Sequence, residues 1–186
     1  MKFVVARPDV VRAINQRWLL KFWTRHLETN SVPQWAAVEA TDFTRMSDNL
    51  SFLDVVGTGA GLGFLIRAHG ALIAQVYGST DCRGKHLEAV IPASRHKEGL
   101  APYFHAVAAG SPVYTIHDIT DREGRVVHYE RLLLPFACNG KTIDRILASF
   151  EFVCIDGRFD RKDLMQQPNA LPALRLSARI EAREVA

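Results

Sequence analysis

Residues 126–136, Val-Val-His-Tyr-Glu-Arg-Leu-Leu-Leu-Pro-Phe, constrain the fold more than any other stretch of this chain. They are mostly β-branched, aromatic or long apolar side chains, and the turn Asp121-Arg122-Glu123-Gly124-Arg125 leads straight into them. The pattern predicts a central strand of an antiparallel sheet, entered through a hairpin from residues 113–120. Side chains alternate along a strand, so His128, Glu130 and Leu132 share one face while Val127, Tyr129, Arg131 and Leu133 share the other. Glu130 and Arg131 therefore point to opposite sides and cannot pair with each other. Isolated burial of either charge is costly, so each needs its own partner. For Arg131 that partner is a carboxylate from a neighbouring strand, such as Asp54 or Glu151, or an anionic ligand.

The flanking pattern extends the sheet. Strands over 50–56 and 64–70 are joined by Gly57-Thr58-Gly59-Ala60-Gly61-Leu62-Gly63. This run is not a dinucleotide fingerprint, because Leu62 and Phe64 stand where the third glycine is required, and no lysine follows to make a Walker loop. A turn between antiparallel strands is the reading. After residues 71–78, Ser79-Thr80-Asp81 caps a short turn whose apolar side is Leu87, Val90 and Ile91, stopped by Pro92. Ser94 caps a better helix, with Leu100, Tyr103, Phe104 and Val107 at i, i+3, i+4 and i+7 and a stop at Gly110. Asn139-Gly140 marks a hairpin into a last strand over 142–153, where a helical period through Ile143, Ile146, Leu147 and Phe150 competes.

Upstream, residues 9–28 predict a helix capped by Asp9, with Val10, Val11, Ile14, Trp18, Phe22 and Arg25 near three-four spacing and a stop near Thr29-Asn30. Leu19, Leu20, Trp23 and Leu27 widen its apolar surface, so it needs a cover, either the sheet or a second subunit. Ile14, Trp18 and Phe22 are the candidate dimer interface. A weaker helix over 34–48 buries Trp35, Val38, Phe43 and Met46. The chain divides into a helical extension (1–49), a sheet domain (50–155) and a polar tail (156–186). The tail reads as solvated, and it is helix-permissive where Arg175, Arg179 and Arg183 recur every four residues.

Composition excludes several classes. With 48% hydrophobic and 23% charged residues among 186, this is the balance of a soluble globular protein. The net charge of +3 is spread among acidic neighbours, which gives no nucleic-acid footprint. No apolar run approaches the roughly 18 residues of a membrane span. Cys82, Cys138 and Cys154 are far apart with no C-x-x-C, as for free thiols in a reducing cytoplasm.

Two strands, a cluster of short helices, one longer helix and three antiparallel strands make up the order of the PAS fold. Over residues 52–153 the resemblance extends to motifs. Phe52-Leu53-Asp54-Val55-Val56-Gly57-Thr58-Gly59, Asp81-Cys82-Arg83-Gly84-Lys85, Tyr103-Phe104, Gly110-Ser111-Pro112 and Tyr129-Glu130-Arg131-Leu132-Leu133-Leu134-Pro135-Phe136 follow one another as in the bacterial family of small PAS-like proteins. The upstream region with Trp23 and Trp35 is also similar to that family. The resemblance implies an α+β fold, a five-stranded antiparallel sheet with helices on one face behind an N-terminal helical extension. It further implies a cytoplasmic sensory or regulatory role, commonly as a homodimer that signals to a protein partner. A small-molecule pocket is then expected between the sheet and the longer helix, lined by Tyr77, Leu87, Ile91, Tyr103, Phe104, Val107, Tyr129, Arg131 and Leu133.

Specific chemistry is sparser. Some PAS proteins hold haem through a histidine of the longer helix. His96 and His105 lie nine residues apart, which puts them on opposite sides of a helix, and neither falls on its buried stripe. Cys82 lacks the asparagine-cysteine-arginine-phenylalanine-leucine context of flavin photochemistry. The cofactor is therefore left unassigned, with haem and flavin disfavoured. His117-Asp118 and His128 are expected as cross-strand neighbours, too few for a metal site. No catalytic motif appears. The enzyme alternative rests on Asp54, His69, His128 and Glu130, if these lined the concave side of a curved sheet. The other alternative is a purely structural interaction module.

Overall fold

A computed structural model describes residues 1–27, 32–78, 81–155, 157–166 and 172–181. In chain order the elements are β1 (Val4–Ala6), α1 (Ile14–Arg25), α2 (Ala36–Glu39), β2 (Leu50–Val56), β3 (Gly63–His69), α3 (Ala71–Val76), α4 (Leu87–Val90), α5 (His96–Ala109), β4 (Val113–Thr120), β5 (Val126–Phe136), β6 (Arg145–Cys154) and β7 (Ala173–Ile180). All strands join one sheet in the order β1-β7-β4-β5-β6-β2-β3. The run β3-β2-β6-β5-β4, antiparallel throughout, is the expected five-stranded unit.

The central strand behaves as its alternation requires. Val127, Tyr129 and Leu133 join the core under α3–α5, whereas Leu132, Leu134 and Phe136 join a second core on the opposite face. Residues 145–154 form a strand rather than a helix, because they pair with β5 along their whole length and with β2 on the other side. The strand starts at Arg145 instead of Thr142, since Asn139 Oδ1 accepts the Lys141 and Thr142 amides, both at 2.9 Å, and lengthens the turn. Gly57 takes φ +71° at the β2–β3 turn, and a Cβ there would lie 2.2 Å from the Gly61 carbonyl oxygen. Gly110 ends α5 in the left-handed conformation, as anticipated.

The extension covers the second face. In α1, Gln16, Leu19, Leu20 and Trp23 are buried at i, i+3, i+4 and i+7. Trp23 Nε1 donates to the Pro135 carbonyl at 2.6 Å, and Gln16 Nε2 donates to the carbonyls of Glu130 and Ser149 at 3.3 and 3.1 Å. The helix starts at Ile14 and not at Asp9, because Pro8–Val10 makes a short 3-10 turn and Val11 is extended as the chain crosses from sheet edge to sheet face. The single helix expected over 34–48 is broken. Asp42 Oδ1 accepts the Thr44 amide at 2.9 Å, a local turn that competes with helix, and residues 44–49 become 3-10. Its apolar set still packs inward, with Trp35, Val38 and Phe43 buried.

Three readings are corrected. The sheet has seven strands rather than five, and helices cover both of its faces rather than one. The polar tail is not solvated through residues 173–180, which pair antiparallel with β4, while β1 pairs parallel with β7 from the other side. The exposed edge of β4 offers unpaired amides and carbonyls that a strand satisfies better than a helix. The helix stop at Thr29-Asn30, the Ser79-Thr80 cap and the expectations for 167–171 and 182–186 lie outside the described residues. No helix is long and apolar enough to cross a membrane among those described.

Candidate ligand site

A cavity of about 30 Å³ lies between α5 and strands β4 and β5, with Tyr77, Ile91, Arg95 and Met165 among its other walls. Its floor is set by the β4–β5 register, which places Thr115 opposite Arg131 and His117 opposite Tyr129 on the α5 side of the sheet. Arg131 is only 3% exposed. Its Nη1 donates to the Gly99 carbonyl of α5 at 2.9 Å, and its Nε donates to Thr115 Oγ1 at 3.4 Å. The guanidinium carbon sits 5.1 Å from the Tyr103 ring centre and 5.9 Å from that of Tyr129. The expected carboxylate partners are engaged elsewhere. Asp54 pairs with Arg67 and Arg145, and Glu151 accepts from Asn15 and Asn49.

Burial dominates the electrostatics. It pushes Tyr77 up to about 12 and holds Tyr103 and Tyr129 well above the usual phenol range, so all three hydroxyls stay protonated. Burial, reinforced by Arg131 and opposed by Asp118, pulls His117 down to about 3, so its ring is neutral. Neither His117 Nδ1 nor the Tyr129 hydroxyl has a hydrogen-bond partner among the described residues. Tyr77 and Arg131 stand close enough to influence Tyr129, yet neither reaches its hydroxyl with hydrogen-bond geometry. Arg95 is buried at the opposite wall, where its Nη1 donates to the Met165 carbonyl.

Unfolded, His117 binds a proton below about its ordinary 6.5; folded, it does so only near 3. Between those values the unfolded state holds the extra proton, so stability falls as the pH drops below 6.5, by up to about 1.4 kcal/mol per pH unit. His105, lowered by burial and Arg179, adds in the same direction, and Glu151, raised by burial, works against both at lower pH. In urea unfolding between about pH 7 and pH 5, His117→Asn is expected to show a clearly smaller loss of stability than the parent. Equal slopes would contradict the buried neutral histidine.

Of the residues anticipated for the pocket, Tyr77, Ile91, Tyr129 and Arg131 line the cavity, and Tyr103 backs Arg131. Leu87, Val107 and Leu133 belong to the packed core beside it. Phe104 is a correction: it is 37% exposed and faces a separate outer groove with Met1 and Phe3. The stripe of α5 follows Leu100, Tyr103 and Ala106 instead. His117 and Arg95 were not anticipated. Centring the β4–β5 turn on Glu123 would have set His117 opposite Tyr129; Arg95 carries no such signal, because only the tertiary path of residues 164–166 brings Met165 to it.

The remaining histidines and acids are dispersed. His96 and His105 both border the outer groove rather than opposite sides of α5, with His96 Nε2 at 2.9 Å from the Ile91 carbonyl and His105 stacked on Phe3 at 4.0 Å. Asp118 and His128 are cross-strand neighbours as expected, 2.7 Å apart, on the face opposite the cavity. His69 Nε2 accepts the Cys82 amide at 2.7 Å, and Glu130 accepts from the Tyr114 hydroxyl at 2.6 Å. Asp54, His69, His128 and Glu130 thus each serve separate partners, and none lines the cavity. Of the expected dimer residues, Phe22 is buried in the chain's own second core, while Ile14 is 76% and Trp18 42% exposed.

A family model described as PAS domain matches residues 11–150, a span that takes in α1, the cavity and the strands beneath it. Sensory and regulatory roles are general to that family. No curated protein matches the chain.

Proposed function

We propose that this chain, which belongs to the PAS domain family, binds a small polar molecule in the cavity beneath α5 and signals to a partner protein in the cytoplasm. The observation that carries this reading is the cavity itself, at whose floor buried Arg131 is held between a neutral hydroxyl and a neutral carbonyl. The Tyr129 hydroxyl and His117 Nδ1 border this space without a partner among the described residues, and buried polar groups of that kind are ordinarily met by water or a ligand. Arg131 bonds the Gly99 carbonyl of α5, so a ligand that draws the guanidinium away changes how α5 sits on the sheet. A protein partner then distinguishes two packings, each biased by ligand occupancy. The reading assigns the site binding rather than turnover. Native mass spectrometry of the purified chain tests it: a bound mass that is lost in Arg131→Met is the expected result. A bare polypeptide mass after growth and purification in rich medium, with no shift on adding small metabolites, would turn the weight to a structural interaction module.

The dimer is part of the same proposal. Ile14 and Trp18 leave an exposed apolar strip on the outer side of α1, with Trp18 stacked on buried Phe22 at 5.8 Å between ring centres. Light scattering of the full chain is expected to give twice the monomer mass, and Trp18→Glu is expected to give the monomer mass with the fold intact. A parent chain that runs as a monomer at micromolar concentration would remove the dimer from the proposal.

A further inference from the structure

The inference deepens the reading above and rests on it. We propose that the cavity receives the carboxylate group of a small organic acid, with Arg131 as its anchoring cation. Among the described residues, the chain pairs several exposed arginines and leaves a buried one without a carboxylate. Arg83, Arg125, Arg145 and Arg175, all partly or largely exposed, each have an aspartate within ion-pair distance. Arg131, the most deeply buried of these five, has no carboxylate at that distance among the described residues. A guanidinium taken out of water loses several kcal/mol of hydration, and neutral acceptors return only part of it. An anion placed at the guanidinium would supply the rest.

The surroundings specify which anion. Tyr129 and His117, 2% and 4% exposed, border the cavity, and the hydroxyl of the one and Nδ1 of the other are buried without a partner among the described residues. Tyr129 is a donor with its proton firmly held, and neutral His117 can present an N–H from Nδ1. Together with the guanidinium they form a donor-rich set around a small space. A carboxylate is acceptor-only and pairs with arginine in a fork, which suits that set. The volume of about 30 Å³ has room for about two water-sized groups. That is nearer the two oxygens of a carboxylate than the four of a phosphate, with the rest of the acid left to the rim where Glu98 is exposed. Glu98, the carboxylate of the lining, is exposed at the rim and is not turned onto Arg131.

The test titrates the full chain with sodium formate, acetate and propionate against sodium chloride at equal ionic strength, with acetamide and propionamide as neutral counterparts. Melting temperature and calorimetric affinity are the readouts. The carboxylates are expected to raise the melting temperature saturably and the amides to leave it unchanged. Arg131→Met is expected to weaken acetate binding by about tenfold or more, and Tyr129→Phe by several-fold at unchanged ring packing. Amides that bind as well as acids, or acetate affinity unchanged in Arg131→Met, would overturn the carboxylate while leaving the cavity a ligand site. Absence of saturable binding by every probe would overturn both. If Arg131→Met does not fold, Tyr129→Phe decides, and acetate affinity equal to that of the parent overturns the proposal.

Discussion

Replacing Ala178 by proline is expected to lower stability by about 3 kcal/mol or more, enough to unfold a large fraction of a marginally stable domain. Ala178 is fully buried and sits in β7 with Tyr114 of β4 on one side and Val4 of β1 on the other. Proline there removes the strand's own amide from the ladder and forces its ring against a neighbouring backbone. Ala173→Pro is the control. Residue 173 is exposed and is the first residue of β7, where proline is tolerated, and its cost is expected within about 0.5 kcal/mol. Urea unfolding followed by circular dichroism measures both. If residues 173–180 were a solvated tail, the two substitutions would be equally silent.

Trp23→Ala is expected to cost about 3–5 kcal/mol, the range for a large aromatic removed from a closed core. Trp23 is 1% exposed and lies in the core that joins α1 to β5 and β6. Its indole N–H also satisfies the Pro135 carbonyl, which is orphaned by the change. Trp23→Phe separates the contributions: it keeps most of the apolar bulk and loses the donor, for an expected cost of about 1–3 kcal/mol. The same unfolding experiment reads both. A Trp23→Ala chain as stable as the parent would mean that α1 is not docked on the sheet.

Those two substitutions probe the elements that the linear pattern conveyed least well. β7 was legible in part. Leu174, Leu176, Ala178 and Ile180 alternate with Arg175, Ser177 and Arg179, which is strand periodicity. The four-residue spacing of Arg175, Arg179 and Arg183 offers a helical period over the same residues, and charge made the segment look solvated. β1 had less signal still, because three residues carry no period. For α1 the buried stripe was readable but its destination was not, since a helix with an apolar face is equally satisfied by a sheet or by a second copy.

The site divides in the same way. Alternation along residues 126–136 placed Tyr129 and Arg131 together and separated Arg131 from Glu130, because side-chain direction in a strand is a local property. Leu133 and Leu87 also point to the correct side of the sheet, yet they pack as core. Facing the right way does not decide whether a side chain meets a cavity or another side chain. The partner of Arg131 was misassigned because the strand registers put Asp54 and Glu151 on the opposite face of the sheet, where Arg67, Arg145, Asn15 and Asn49 engage them.

The sequence by itself determined strands β2 to β5, the longer helix α5 before β4, the face on which each β5 side chain falls and the αL stop at Gly110. These follow from period, propensity and turn chemistry within about ten residues of chain. Only the tertiary structure decided that β7 and β1 complete the sheet, that α1 covers its second face, and that His117, Tyr129 and Arg131 surround a space instead of filling it. Those outcomes depend on contacts between segments distant in the chain, such as Val4 with Ala178, Val113 with Arg179 and Trp23 with Pro135. Edges and faces left unsatisfied by local structure select such partners by hydrogen bonding and burial in the assembled fold, and no local period encodes that selection.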